Sequence, residues 1–288
     1  MRRSPRCAGA AAQELGSLTT DFLRPALLIL GLQILLCGCG ERSRQYEGSA
    51  SCKACHARFY ELWEPSHHGR ALQSWSSGLA ALVPPCAEPI EADGHLYRAF
   101  SSPEKGWVQD ESGRQYAISY ALGGKNYYNF LTLLEDGRLQ VLPIFYDVRE
   151  QRWRNTTLSM LRHFDDGPQD RPVPWRDPML TFNAACFSCH VSQLESHYNP
   201  QTDTYATTWN EPGISCESCH GPASEHIRVC RAARPARPPR DLRLISWKEL
   251  SITQQNDSCS GCHAKAVPIT AQFETGDRFW DHFDLTTL

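Results

Sequence analysis

Between residues 88 and 150 the apolar positions fall into short runs rich in β-formers, separated by turn dipeptides. The runs 95–100, 114–122, 127–134 and 139–146 predict strands, and Asp93-Gly94, Ser112-Gly113 and Asp136-Gly137 are hairpin signals between them. Together they predict a small antiparallel β-meander. Pro143 marks the last run as an edge strand or a bend, because proline cannot donate to a ladder.

Either side of this stretch the pattern changes. Residues 53–63 (KACHARFYELW) have helical spacing, with Phe59, Leu62 and Trp63 towards one side, until Pro65 interrupts. From 150 to 288 proline and glycine are frequent and long periodic segments are few. No heptad or tetratricopeptide period is present. A chain of this kind needs something other than regular elements to build its core.

The chemistry supplies a candidate. Cys-x-x-Cys-His occurs four times, at 52–56, 186–190, 216–220 and 259–263. A bare Cys-x-x-Cys fits a disulfide, a redox dithiol or half a zinc ribbon. With the following histidine it is the attachment site of c-type haem. Histidine makes up only 11 of 288 residues, so four such placements are not accidental. Two four-cysteine zinc ribbons would leave all four histidines unexplained. The reading is therefore four covalent haem c groups. Cys52, Cys55, Cys186, Cys189, Cys216, Cys219, Cys259 and Cys262 would carry the thioethers, and His56, His190, His220 and His263 would be the proximal iron ligands. Flat apolar rings then provide much of the core. The expected fold class is α+β with little regular secondary structure: short helices packed on stacked haems, with the β-meander inserted between the first motif and the other three.

Seven histidines remain for distal ligation: His67, His68, His95, His163, His197, His226 and His282. The two axial nitrogens of one iron are only about 4 Å apart. Along a helix His226 would stand about 9 Å beyond His220, and His68 about 18 Å beyond His56. Each is thus expected to ligate the haem of another motif. His282, in 276–283 (GDRFWDHF), is the third candidate metal ligand. His95 reads as an ordinary surface side chain, and His197 as part of a polar loop.

Arg2, Arg3, Arg6 and Arg24 precede the apolar run 25–36 (PALLILGLQILL), the layout of a signal peptide. The run is too short to cross a bilayer comfortably, which takes roughly 20 residues. It ends in Leu36-Cys37-Gly38-Cys39, which resembles a bacterial lipobox with Cys39 as the lipidated residue. An uncleaved anchor or ordinary secretory signal is the alternative. The expected organisation is a signal segment 1–38, a first haem segment 39–75, a β-rich insert 76–155 and a three-haem region 156–288. Without residues 1–38 the chain has 25 basic and 30 acidic side chains, a balance that argues against nucleic-acid binding. One basic cluster, 231–243 (RAARPARPPRDLR), reads as a solvated loop or a patch for an acidic partner or haem propionates. Cys86 and Cys230 are a possible disulfide. Cys7 and Cys37 would leave with the signal segment.

Cys52-Lys-Ala-Cys-His56, followed by Trp63, Ser66, His68 and Ala71, resembles the opening of bacterial multihaem cytochromes c. These are related to the tetrahaem cytochrome of the hydroxylamine-oxidation pathway and to pentahaem nitrite reductases. Residues 183–227 resemble the haem domain that precedes tetratricopeptide repeats in periplasmic cytochromes. In that pattern the histidine trailing Gly213-Ile-Ser-Cys-Glu-Ser-Cys-His-Gly-Pro222, here His226, is a distal ligand. The chain ends at Leu288 without the repeats, and no motif has lysine in place of its proximal histidine. The second departure speaks against ammonia-forming nitrite reduction.

The resemblance implies electron transfer on the periplasmic side of a bacterial membrane, between a quinol-linked donor and a periplasmic oxidase or reductase. No catalytic side-chain constellation or phosphate loop argues otherwise. The alternative is an oxidoreductase for a small nitrogen or sulfur species at one five-coordinate haem. Arg70, Tyr127 and Tyr128 are nominal donors to its distal pocket.

Overall fold

The computed structural model describes residues 44–157, 173–234, 237–270 and 272–285. The signal segment, Cys39 and His163 lie outside the described residues. Among those described, no helix is long and apolar enough to cross a membrane.

Two antiparallel sheets occupy the middle of the chain. The smaller contains β2 (Ile90–Ala92), β3 (His95–Ser101), β4 (Gly106–Asp110) and β5 (Gln115–Ala117) in sequence order. The larger runs β1 (Leu72–Ser74), β6 (Tyr120–Gly123), β7 (Tyr127–Leu133), β9 (Ile144–Asp147) and β10 (Arg152–Asn155), with β8 (Leu139–Val141) also paired to β7. The expected meander is thus divided in two. The run 114–122 breaks because the Ile118 amide donates to Gly106 and the Ser119 amide to Leu131, so the chain changes sheets between them. The run 139–146 breaks at Pro143, and strands on both sides of it pair with β7. Asp93 and Gly94 both have positive φ, 55° and 76°, as a tight hairpin with right-handed strand twist requires.

Strand alternation gives the larger sheet two buried faces. Ala121 lies opposite Phe130, and both belong to a core shared with the smaller sheet, with Val108, Ile144, Trp153 and Trp175. Tyr120 lies opposite Leu131 on the other face. There Leu72, Leu122, Val141, Leu180 and Phe182 pack with Val191, Cys186 and Phe187 of the second Cys-x-x-Cys-His segment.

Buried amides fasten that segment to the sheet. Asn183 Oδ1 accepts from the Leu139 amide at 2.7 Å. Gln140 donates through Nε2 to the Trp175 carbonyl at 2.7 Å and accepts from Thr181 Oγ1 at 3.0 Å. Each polar group is paired, which is what burial demands.

Outside the sheets the elements are short: α1 (Ser49–Cys52), α2 (Ala57–Trp63), α3 (Ser77–Leu82), α4 (Phe182–Ala185), α5 (Cys216–His220), α6 (Ser224–Ala232) and α7 (Ile252–His263). The helix expected over 53–63 starts only after His56, because a turn at 53–55 separates it from α1. In α2, α6 and α7 no residue is buried. Cys86 and Cys230 are free thiols rather than a disulfide: Cys86 packs against the β core and Cys230 lies on α6 beside His226.

Candidate haem-binding site

Each motif sits on a turn or helix that brings its two cysteines to one side, as spacing i, i+3 does. The third motif is itself the helix α5, capped by Ser215 Oγ accepting from the Ser218 amide at 3.2 Å. The fourth closes α7, which begins with a reciprocal capping box between Ser251 and Gln254. The second occupies a 3₁₀ turn, Phe187–Cys189, and the first ends α1.

The motifs meet in pairs. The first meets the third where the Cys216 amide donates to Ser49 Oγ at 3.0 Å, and the second meets the fourth where the Cys189 and Cys262 thiols donate to the Cys262 and Ser188 carbonyls at 3.9 and 3.7 Å; within each pair the two thiols perturb one another's titration. This mutual effect lowers the pKa of Cys216 and raises that of Cys52. It likewise lowers Cys189 and raises Cys262. Burial pushes Cys186 up to about 11. The sulfurs do not gather in fours. Among the described residues no cluster of three or more His, Cys, Asp or Glu side chains is arranged to hold a metal ion.

The imidazoles are presented in a consistent way. His190 Nδ1 is 2.7 Å from the Ala71 carbonyl, His220 Nδ1 is 3.0 Å from that of Ile245, and His226 Nδ1 is 2.8 Å from that of Leu242. A carbonyl can only accept, so each Nδ1 carries the proton and each Nε2 offers its lone pair.

Two pairs of rings face each other across motifs. His56 and His226 lie 6.2 Å apart between centroids, with planes inclined by 24°. His68 and His263 lie 6.1 Å apart, inclined by 66°. Two metal–nitrogen bonds of about 2 Å, plus about 1 Å from each nitrogen to its ring centre, would put the rings of a bis-imidazole iron about 6 Å apart. Among the described residues no second imidazole stands opposite His190 or His220 in this way.

Of the other histidines, His282, His95 and His197 have partners elsewhere in the chain. His282 Nδ1 is 2.5 Å from Thr270 Oγ1, and its Nε2 is 3.5 Å from an Asp277 oxygen, so both nitrogens have partners within the chain. His95 pairs with Glu111 at 2.8 Å. His197 Nε2 is 3.2 Å from both Thr208 Oγ1 and Glu195. His67 is exposed beside His68. Tyr128 belongs to the β core, and Tyr127 packs on Phe145 from the other face of β7.

Phe59 is 71 % exposed and Ile252 72 %, and Leu62, Val267 and Ile269 are also uncovered, on or next to the motif-bearing helices. With the Nε2 atoms and the cysteines, this apolar surface fits flat macrocycles bound through sulfur and imidazole.

The motif that sequence reading missed is a carboxylate clamp. Glu217, inside the third motif, is buried and accepts from the amides of Glu47, Gly48 and Ala223 at 2.7–3.0 Å. Glu211 accepts from the amide and hydroxyl of Ser49, whose Oγ in turn accepts from the Cys216 amide. The segment leading into the first motif is thereby fixed to the third. A carboxylate between two haem cysteines was the available signal.

Gly213 joins the remaining pieces. Its amide donates to the His190 carbonyl at 3.1 Å, and the next amide, of Ile214, donates to the His68 carbonyl at 2.9 Å. A Cβ on Gly213 would meet the Gly69 and His68 carbonyl oxygens at 2.6 and 2.8 Å, and its φ of +79° favours glycine as well.

The family model described as cytochrome c554 and c-prime matches residues 51–83 and 170–221. These stretches contain the first three motifs and His68. No curated protein matches the chain. The crystal structure of outer cell wall cytochrome OcwA is similar in fold: TM-score 0.50 and 17 % identity, over 84 % of this chain and 45 % of that one. The undecahaem cytochrome from the S-layer of Carboxydothermus ferrireducens gives a TM-score of 0.44 and 16 % identity, over 85 % and 29 %. This chain spans less than half the length of either structure. The family match thus covers the segments around the first three motifs, and the likeness to the outer cell wall cytochrome is one of fold.

Proposed function

We propose that this chain is a tetrahaem c-type cytochrome that passes single electrons between a membrane-linked donor and a redox partner. In this reading it is exported and held at the periplasmic face of a bacterial membrane through a lipidated Cys39. The observation that carries the reading is the pair of ring distances, His56 to His226 and His68 to His263, at the separation of two axial ligands on one iron.

When bound, haem c supplies a one-electron iron couple. The chain's own groups do the rest. The eight motif cysteines fix the rings covalently. The Ala71, Ile245 and Leu242 carbonyls hold the tautomer and orientation of His190, His220 and His226. The Cys216 amide on Ser49 Oγ brings the third motif against the first, and the Cys189 and Cys262 thiols on the Cys262 and Ser188 carbonyls bring the second against the fourth. Such closeness suits electron hopping and needs no acid–base residue.

A second reading, oxidation or reduction of a small nitrogen or sulfur species, is favoured by one observation. Among the described residues, neither His190 nor His220 has an opposing imidazole. The test is the spectrum of the oxidised, fully matured protein. Low-spin bands indifferent to cyanide and nitric oxide support the electron carrier. A high-spin component that shifts on adding either ligand supports the second reading. Material without covalent haem overturns both.

A further inference from the structure

The basic segment after α6 is tied to the imidazoles at both ends. It leaves the helix that carries His226 and returns as Leu242, whose carbonyl accepts from His226 Nδ1. Three residues later the Ile245 carbonyl accepts from His220 Nδ1, and the Ile245 amide donates back to the His220 carbonyl. Trp247 Nε1 completes the anchorage on the Cys219 carbonyl at 3.1 Å.

Between these anchors Arg231, Arg234, Arg237, Arg240 and Arg243 are all exposed. Arg243 pairs with Asp241, the one acidic residue in 231–243. The chain as a whole has a formal charge of −3, so this is a concentrated positive patch on an otherwise acidic protein. Its place is next to His226 and His220. Prolines at 238 and 239 stiffen the span between the last arginines.

We propose that these five arginines form the docking surface for an acidic electron-carrier protein, which exchanges electrons with the haems ligated by His226 and His220. The proposal rests on the tetrahaem reading above. Complementary charge would raise the encounter rate and align the carrier, while the carbonyl anchors hold the patch at a fixed distance from the imidazoles.

The experiment is stopped-flow reduction of the matured full-length protein by a plant-type two-iron ferredoxin as acidic probe, and by neutral photoreduced deazariboflavin. A variant with all five arginines changed to glutamine is compared with one in which they are changed to lysine. At low salt the glutamine variant is expected to lose at least tenfold in the ferredoxin rate. The lysine variant should retain most of it, and the difference should vanish at high salt. Deazariboflavin rates and haem content should match the unmodified protein in both variants.

Equal ferredoxin rates in the unmodified and glutamine proteins would overturn the docking surface while leaving the haem reading intact. The docking surface is equally overturned if the arginines govern binding to anionic phospholipid vesicles but not the ferredoxin rate. Absence of covalent haem from the unmodified protein would overturn the underlying reading instead.

Discussion

His68 and His263 face each other at 6.1 Å although one follows the first haem motif and the other closes the last. The link is built by backbone. The His68 carbonyl accepts from the Ile214 amide, and Leu72–Ser74 runs on as an edge strand of the larger sheet. If His68 is an axial ligand, His68→Met should raise one midpoint potential and leave the other three in place, because thioether ligation favours ferrous iron. His68→Ala should convert one haem of four to high spin. Spectroelectrochemistry and electron paramagnetic resonance read these out; four unaltered potentials would remove His68 from the ligand set.

Replacing Cys189 or Cys219 with alanine deletes one thioether of the second or third motif. The expected result is loss of stable attachment of one haem, read by intact mass and by haem staining after denaturation. Four fully covalent haems on such a variant would contradict the motif assignment.

Glu217→Gln replaces a buried anion by a neutral amide whose NH₂ opposes backbone donors. Hydrogen bonds to charged acceptors are the stronger kind, so the change should destabilise the fold by about 2 kcal/mol. Denaturant unfolding at matched haem content measures it. Only one acceptor oxygen then remains for the amides of Glu47, Gly48 and Ala223, so the attachment between the first and third motifs should loosen first.

Gly213→Ala should shift the chain at the His68 carbonyl, because the added methyl overlaps it and the backbone is left-handed there. The spin state or potential of the haem held by His263 is the sensitive readout. A spectrum identical to that of the unmodified protein would mean that the close approach does not position His68.

The surface pair His95–Glu111 gives a pH prediction away from the haems. Hydrogen bonding to Glu111 raises His95 above its ordinary 6.5, and the same bond lowers Glu111. The histidine's contribution is complete below its unfolded pKa and fades as pH rises through the folded one. The carboxylate's contribution is present above its unfolded pKa and fades as pH falls through the folded value. The pair is therefore strongest between the ordinary carboxylate and imidazole ranges. Nuclear magnetic resonance titration should find His95 returned towards 6.5 in Glu111→Gln.

The candidate site was more legible in the sequence than the architecture. Cys-x-x-Cys-His is a local signal, so the motif cysteines and histidines could be named residue by residue. The strands at 95–101 and 127–133 were also readable, because turn dipeptides bracket them. The division into two sheets was not. It depends on where the Ile118 and Ser119 amides find acceptors, a tertiary choice invisible in a continuous β-forming run. Helical spacing over 53–63 ran through the first motif without revealing the turn that holds Cys55 and His56. His226 and His68 could be put first from their sequence context, while geometry only turned each away from the haem of its own motif. That His282 spends both ring nitrogens on Thr270 and Asp277 follows only from the pairing of Ala266–Pro268 with Phe283–Leu285. The Glu217 clamp escaped notice because its acceptor role needs partners some 170 positions away.

Among the described residues the edge strand Leu72–Ser74 has a single neighbour, β6, and it begins four residues after His68. Slipping its register by one position would turn Leu72 out of its apolar bed and drag His68 along the chain with it. Under the proposed haem assignment the sheet would then be a ruler for the electron path. On that assignment, changes that tighten or loosen strands far from the motifs would be a means of tuning one haem without touching its pocket.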